Sequence, residues 1–277
     1  MVKYDDKIKY LEIKAKELRK NIVTMIYEAR SGHPGGSLSI ADIVAALYYD
    51  ELKINPSDPK WSERDRVILS KGHCCPVIYA VLAMKGYFDF NIIHTLRKMG
   101  SILQGHPDMK KVPGIDMTTG SLGQGLSVGS GMAYGAKKDG LDSRVFVILG
   151  DGELQEGQVW EAAMLASKYK LNNLIAVIDS NDLQIDGFCS EVMPIEPIDK
   201  KWEAFGWEVY KINGHNMGEI LKAFEDMKRI KDKPVCIIAK TVKGKGVSYM
   251  ENQCDWHGIA PNTSQYEIAL KELEGVE

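Results

Sequence analysis

Little in this chain points to a structure held by covalent links. Its 277 residues include five cysteines, Cys74, Cys75, Cys189, Cys236 and Cys254. The number is odd, and no spacing among them reads as a zinc or redox pair. Reduced thiols in a cytoplasmic protein are the expectation. Long apolar runs are lacking too, and none reaches the length that spans a bilayer. The stretch Met1 to Lys20 is a charged helical pattern rather than a secretory leader. Neither sign of charge dominates: 35 basic side chains face 38 acidic ones, for a formal charge of −3. That balance excludes a strongly basic nucleic-acid binder and gives no attraction to an anionic membrane. Repeats, low-complexity tracts and linkers are absent. The 44% apolar content can bury a large core at this length without disulfides or metals.

What is present is strong patterning. Ile8, Leu11, Ala15, Leu18, Ile22, Met25, Ile26 and Ala29 recur at helical spacing over 5–29. Ser31-Gly32 and Pro34-Gly35-Gly36 stop that helix. A second helix is expected over 40–50, a loop over 51–63 and a short strand at Val67-Ile68-Leu69. Helices follow near 76–85 and 90–98. Residues 100–121 are rich in Gly, Pro, Ser and Thr, and a loop of that length between patterned elements reads as functional. Residues 124–138 form a helix of small residues that lets a neighbour approach closely, inside the domain or between subunits. Strand 145–149, helix 157–169, strand 174–179, strand 207–212, helix 217–230 and strand 235–242 complete the pattern. Continuous apolar strands alternating with helices predict a single α/β domain, 1–277, its parallel sheet covered by helices on both faces. A loop and helix close the chain over 243–277.

In parallel sheets, ligands bind beyond the carboxyl ends of the strands. Gly150-Asp151-Gly152 sits at one such end, where two glycines allow a tight turn and the next helix offers free N–H groups to an anion. Asn181, thirty residues on, sits at the next. A carboxylate, an amide oxygen and a nearby backbone carbonyl are hard ligands. With phosphate oxygens and a water they complete an octahedral magnesium site. Gly-Asp-Gly alone is common, and two unrelated turns are the bland reading. The pair at this spacing, each at a strand end, is much rarer.

These two turns resemble the diphosphate and magnesium motif of thiamine diphosphate enzymes, and the rest of the chain narrows the resemblance to transketolase. Ser31-Gly32-His33-Pro34-Gly35-Gly36, Ser70-Lys71-Gly72-His73 and Gln104-Gly105-His106-Pro107 are similar to its first three histidine motifs. Thr118-Thr119-Gly120-Ser121-Leu122-Gly123-Gln124-Gly125 resembles its cofactor loop, and Asp255-Trp256-His257-Gly258 its late histidine motif. Together they cover about 10–261 in the family's order. The resemblance implies a thiamine diphosphate-binding fold with Mg2+, for which Ca2+ or Mn2+ can substitute. It implies metal ligands at Asp151, Asn181 and the carbonyl of Leu183. Diphosphate contacts fall to His73, Gly152 and His257. Gly120, Ser121 and Leu122 line the cofactor, and Ile185 is an apolar contact to its thiazolium. His33, His106 and His257 face the donor sugar, where neutral imidazoles suit proton transfer. Glu156 corresponds to an acid linking the two active sites of a dimer. Ser121 stands where many members have proline, which loosens that loop. Asp182 replaces a frequent glycine, and aspartate tolerates a left-handed backbone.

Other polar residues have plainer readings. His94 reads as surface helix and His215 as a turn residue. Cys74 and Cys75 read as packing. Lys243-Gly244-Lys245-Gly246 is as much a solvated loop as a phosphate site. In the resembled family a second domain supplies the pyrimidine-binding glutamate, and here the chain ends soon after the late histidine motif. The expectation is therefore one subunit of a split transketolase. It self-associates, and it pairs with a separate C-terminal subunit carrying the pyrimidine-binding domain. Met1 and a helical ending at 264–275 favour a natural subunit over a cut piece. The implied reaction moves a two-carbon ketol unit between sugar phosphates in non-oxidative pentose phosphate metabolism. Deoxyxylulose-phosphate synthase and the 2-oxoacid dehydrogenases match the motifs less well. A transketolase-like enzyme for another sugar phosphate, or a non-catalytic cofactor-binding module, stays open.

Overall fold

The protein is described by a computed structural model over residues 4–185 and 187–275. Residues 1–3, 186, 276 and 277, which the expected segments 1–20 and 243–277 touch at their ends, lie outside it. Helix α1 spans Tyr4–Ala29 and buries the predicted stripe of Leu11, Ala15, Leu18, Ile22 and Ile26. It ends at Ala29, before Ser31-Gly32, as the pattern predicts, and Pro34 then opens a further helix. Proline at a first helical position loses no hydrogen bond, so α2 runs Pro34–Ser39, followed by α3 (Ala41–Ala46) and a π-turn at Leu47–Glu51. The expected helix over 40–50 thus starts six residues early and is broken at Ile40.

Strand β1 (Arg66–Leu69) leads to α4 (Cys75–Met84). The expected helix over 90–98 is instead a 3-10 turn, Phe90–Thr95. Asp89 satisfies only a local N–H there, that of Asn91. Helix α5 occupies Gln124–Lys138, as its small-residue pattern predicts. Then come β2 (Val145–Gly150), α6 (Gly157–Lys168), β3 (Leu174–Ser180), the single turn α7 (Cys189–Val192) and α8 (Ile198–Ala204). Strand β4 (Glu208–Asn213), α9 (Met217–Met227), β5 (Val235–Lys240) and α10 (Thr263–Glu274) complete the order. Neither α7 nor α8 is evident in the sequence, where prolines at 194 and 197 mask a short amphipathic turn.

The five strands are all parallel, in the order β1-β2-β3-β5-β4. Alternate residues of each strand enter two separate cores. Phe146, Ile148 and Val177 pack with α1, α3, α4 and α9, whereas Val147, Leu149 and Ile178 pack with α5, α6 and α8. Helices therefore cover both faces. Each fully buried aliphatic side chain contributes about 1.5–3 kcal/mol, and this two-sided core holds the strand ends in register. Gly150 of β2 lies opposite Asp179 of β3, which brings the two loops after these strands together at one edge. No helix among the described residues is long and apolar enough to cross a membrane.

Candidate active site

Asp151 leaves the end of β2 and its carboxylate reaches the loop after β3. Oδ2 accepts the backbone N–H groups of Asn181 at 2.8 Å and Asp182 at 2.5 Å, and Oδ1 accepts that of Gly152 at 2.8 Å. The two turns singled out by spacing are thus tied directly. Asp182 has φ of 60°, the left-handed conformation that aspartate tolerates. Asn181 Oδ1 accepts the N–H of Leu183 at 3.1 Å, closing a compact loop.

Asp151 is buried and has no lysine or arginine ion-pair partner among the described residues. Burial and the neighbouring charge of Asp179 push its carboxyl up to about 6. No cationic side chain among the described residues contacts this buried carboxylate directly, and a buried charge without such a contact is costly. The nearby Leu183 carbonyl already faces a cation, the ammonium of Lys243 at 3.2 Å. Oxygen donors with a net negative charge suit a hard divalent cation. The residues present therefore fit the magnesium that the sequence implies.

Behind this pair lies a second, closed network. Asp179 is fully buried, and its carboxylate accepts from Lys71 Nζ, from Ser39 Oγ at 2.5 Å and from Thr241 Oγ1. Burial alone would raise its carboxyl, but Lys71 and these hydroxyls outweigh burial and hold it below the usual range. Burial opposes the charge of Lys71, and Asp179 more than restores it. Glu153 is a third buried acid. It accepts from Ser70 Oγ and from the N–H groups of Gly123 at 2.9 Å and Gly150 at 3.0 Å. The loops after β1 and β2 and the start of α5 are pinned by that one side chain.

Close backbone packing sets the rest. A Cβ on Gly72 would lie 2.6 Å from Thr119 Oγ1 and 2.8 Å from the nitrogen of Gly120. The Ser70–His73 turn can press against the 118–121 loop only because residue 72 is glycine. Likewise a Cβ on Gly125 would collide with the Ser70 side chain.

These loops enclose a cavity of about 430 Å³ at the carboxyl ends of the strands. His33, His73, His106 and His257 line it, as do Asp151, Gly152, Asn181 and Leu183. Gly120, Leu122, Glu156 and Ile185 also reach it, whereas Ser121 is exposed and does not line it. Thus twelve of the thirteen residues named from the sequence meet in one place. The imidazoles of His33, His73 and His257 form a tight group, with ring centroids 5.1–5.5 Å apart. Burial, with the neighbouring cationic groups, depresses all three: His33 and His73 to about 4, His257 to about 3. They stand as neutral imidazoles at physiological pH. His106, more exposed, is lowered in the same direction by burial and by His73. Ile185 is 68% exposed at the rim. A larger cavity, about 690 Å³, opens on the other side of Asp151 and Asn181 and contains no histidine.

Lys243 is a site residue that the sequence leaves evenly divided between a phosphate contact and a solvated loop. The loop carrying it is packed, not solvated: Lys243 is buried, and its Nζ lies 3.0 Å from Nδ1 of His257. Burial lowers its affinity for a proton. Its position is held from behind, where Val242 donates its N–H to His215 Nε2 at 2.8 Å. His215 sits in a turn, as expected, but its Nδ1 is also 2.7 Å from Asp42 Oδ2, and Asp42 pairs with Arg19. The signal for Lys243 is its place shortly after an apolar strand. Lys71, Asp179 and Glu153 share that signal, since each sits at or just past a strand end. Cys74 and Cys75 are buried and free, in keeping with packing. His94 is half-buried, 2.8 Å from Glu28, on the 3-10 turn rather than a helix.

An all-parallel α/β sheet with paired strand-end loops, a buried acid and neutral imidazoles around one cavity is the arrangement of a ligand-binding α/β domain. Comparison with known proteins makes the class specific. Residues 12–275 match the family model described as transketolase, thiamine diphosphate binding domain. The chain is 47% identical over 264 residues to the 6-deoxy-6-sulfo-D-fructose transketolase subunit SqwG of Clostridium sp. (strain MSTE9), covering 95% of this chain and 96% of that one. It is 46% identical over 266 residues to an apulose-4-phosphate transketolase subunit of Phocaeicola vulgatus, covering 96% and 94%. Among solved structures, transketolase from Campylobacter jejuni subsp. jejuni NCTC 11168 superposes with a TM-score of 0.91 at 36% identity, covering 96% of this chain but 43% of that one. The chain belongs to the transketolase thiamine diphosphate-binding domain family.

Proposed function

We propose that this chain, as one domain throughout, is the diphosphate-binding subunit of a two-part transketolase. The carrying observation is the contact between Asp151 and Asn181 inside a cavity ringed by neutral histidines. Asp151, Asn181 Oδ1 and the Leu183 carbonyl would hold Mg2+, and His73, His257, Gly152 and Lys243 the diphosphate. Thiamine diphosphate, when bound, supplies the nucleophilic carbon that takes up the two-carbon unit. The protein's own part is to anchor and to move protons. His33, His106 and His257 face the sugar and exchange hydrogen bonds with its hydroxyl and carbonyl oxygens. Gly120, Leu122 and Ile185, which line the cavity, would lie against the bound cofactor.

Half of the site belongs elsewhere on this reading. The chain matches relatives named as subunits over nearly their whole length. Ketol transfer then needs a separate C-terminal subunit with the pyrimidine-binding domain, in a two-plus-two assembly. Self-association is supported by the exposed side of α5 and α6. There Val128, Met164, Leu165 and Tyr169 are open to solvent, close to Glu156 at the start of α6. Relatives carry names for sulfosugar and apulose phosphate substrates. The donor here is accordingly a ketose with an anionic tail, a sugar phosphate or its sulfonate analogue, and contacts to that tail lie largely on the partner. The enzyme acts in the cytoplasm. Purified chain alone should transfer no ketol unit, and chain mixed with its partner should. Robust transfer by the single chain would overturn the two-part reading, and no transfer by the mixture with any ketose phosphate or sulfonate would overturn the activity.

A further inference from the structure

His33 presents two different edges. Its Nδ1 lies 3.3 Å from Arg97 Nη2, while the other amino group of Arg97, Nη1, donates to Ser31 Oγ at 2.7 Å. Arg97 has no carboxylate partner among the described residues, and its buried Nε is unpaired. Arg97 also adopts a left-handed backbone, φ 59°, and donates its N–H to the Leu103 carbonyl at 2.8 Å. Its guanidinium lies against the loop before His106, where a Cβ on Gly105 would come within 3.2 Å of it. That loop is fixed in turn by the Tyr79 hydroxyl, which lies 3.0 Å from the Gln104 carbonyl and 2.9 Å from that of His106. Arg97 is therefore wedged between the loops of two site histidines.

A guanidinium can only donate. The nitrogen facing it must be the bare one, because two N–H groups cannot share one hydrogen bond. Burial, His73 and Arg97 keep the His33 ring neutral down to about pH 4, and a neutral imidazole with a bare Nδ1 carries its proton on Nε2. Nε2 makes no hydrogen bond to the described residues and lies on the ring edge beside Gly258, at the cavity. We propose that Arg97 is a positioning residue that locks His33 in the Nε2–H tautomer, so that His33 meets the donor sugar as a hydrogen-bond donor. This rests on the reading of the cavity as the sugar site. Bound this way, His33 polarises a substrate carbonyl or hydroxyl oxygen and does not accept a proton from it in the ground state.

The test is ring 15N NMR on the full chain labelled at histidine, without substrate, with His33 assigned by the signals lost in His33→Gln. The proposal expects the protonated-nitrogen shift at Nε2 and the bare-nitrogen shift at Nδ1. In Arg97→Met the two shifts should converge as the tautomers mix, whereas Ser31→Ala should leave them in place. A wild-type ring protonated at Nδ1, or an unchanged tautomer in folded Arg97→Met, overturns the proposal. The wild-type spectrum decides the tautomer even if Arg97→Met fails to fold. Because no turnover is read, failure of the assembled enzyme to transfer ketol units is a separate result. In an active assembly, Arg97→Met should lower kcat/KM for the donor by up to about tenfold, the loss expected for one neutral hydrogen bond. Cofactor affinity should stay unchanged, and equal losses in both would mark a merely structural role.

Discussion

Asp151 and Asn181 stand thirty residues apart in sequence and 2.8 Å apart in the fold, the carboxylate of one accepting the backbone N–H of the other. Parallel pairing of β2 with β3 makes this contact, because register places Gly150 opposite Asp179 and leaves the next residues of both strands at one edge. The same edge receives Lys71 from the loop after β1 and Lys243 from the loop after β5. Four adjacent strand ends thus deliver two acids and two lysines to one floor, and the histidines rise around it.

Lys243 is the sharpest test of that floor. Its ammonium sits between the Leu183 carbonyl and His257, where a diphosphate would meet it. Charge-assisted hydrogen bonds are worth about 1.5–3 kcal/mol. Lys243→Ala should therefore weaken thiamine diphosphate binding by about tenfold to a hundredfold, measured by titration of the assembled enzyme. Affinity equal to wild type would show that the lysine serves only to pack the loop.

Glu153 has a structural task. It joins Ser70, Gly123 and Gly150, so three loops depend on one buried carboxylate. Leaving these buried donors without their acceptor costs about 3 kcal/mol. Glu153→Ala should lower the thermal midpoint by about 10 °C, read by circular dichroism. A shift of a degree or less would mean that water replaces the carboxylate without loss.

His73 links stability to pH. Burial, then Lys71, holds its pKa near 4 against 6.5 in the unfolded chain. The unfolded state therefore binds the proton first as pH falls. The contribution from His73 is complete above 6.5 and is lost as pH drops toward 4. Thermal midpoints of wild type should fall more steeply across that window than those of His73→Gln. Parallel curves would show that the imidazole is as free to protonate in the fold as outside it.

The sequence is most legible where a pattern repeats or a spacing is fixed. Helix α5 occupies Gln124–Lys138, the limits its small residues predict, and the pairing of Asp151 with Asn181 follows from two strand ends. Legibility fails where a choice depends on distant packing. The turn at Phe90–Thr95 carries apolar residues at helical spacing, yet the chain leaves it at Leu96 in an extended conformation. Pro34 reads as a stop, but it equally fits a first helical turn, and only the packing of α2 decides. Lys243 reads equally as a phosphate ligand and as a solvated loop lysine until Val242 is seen fastened to His215. Ser121 lies next to lining residues on both sides but turns outward.

On the proposed function, Asp151 carries the metal that anchors the cofactor. Its carboxyl is buried, without a lysine or arginine ion pair among the described residues, and held by three N–H groups. The direct measurement is calorimetric titration of thiamine diphosphate into the chain assembled with its partner subunit, with Mg2+ and with chelator, for wild type and Asp151→Ala. Tight binding is expected only for wild type with Mg2+. Binding of equal affinity in chelator, or in Asp151→Ala, would contradict it.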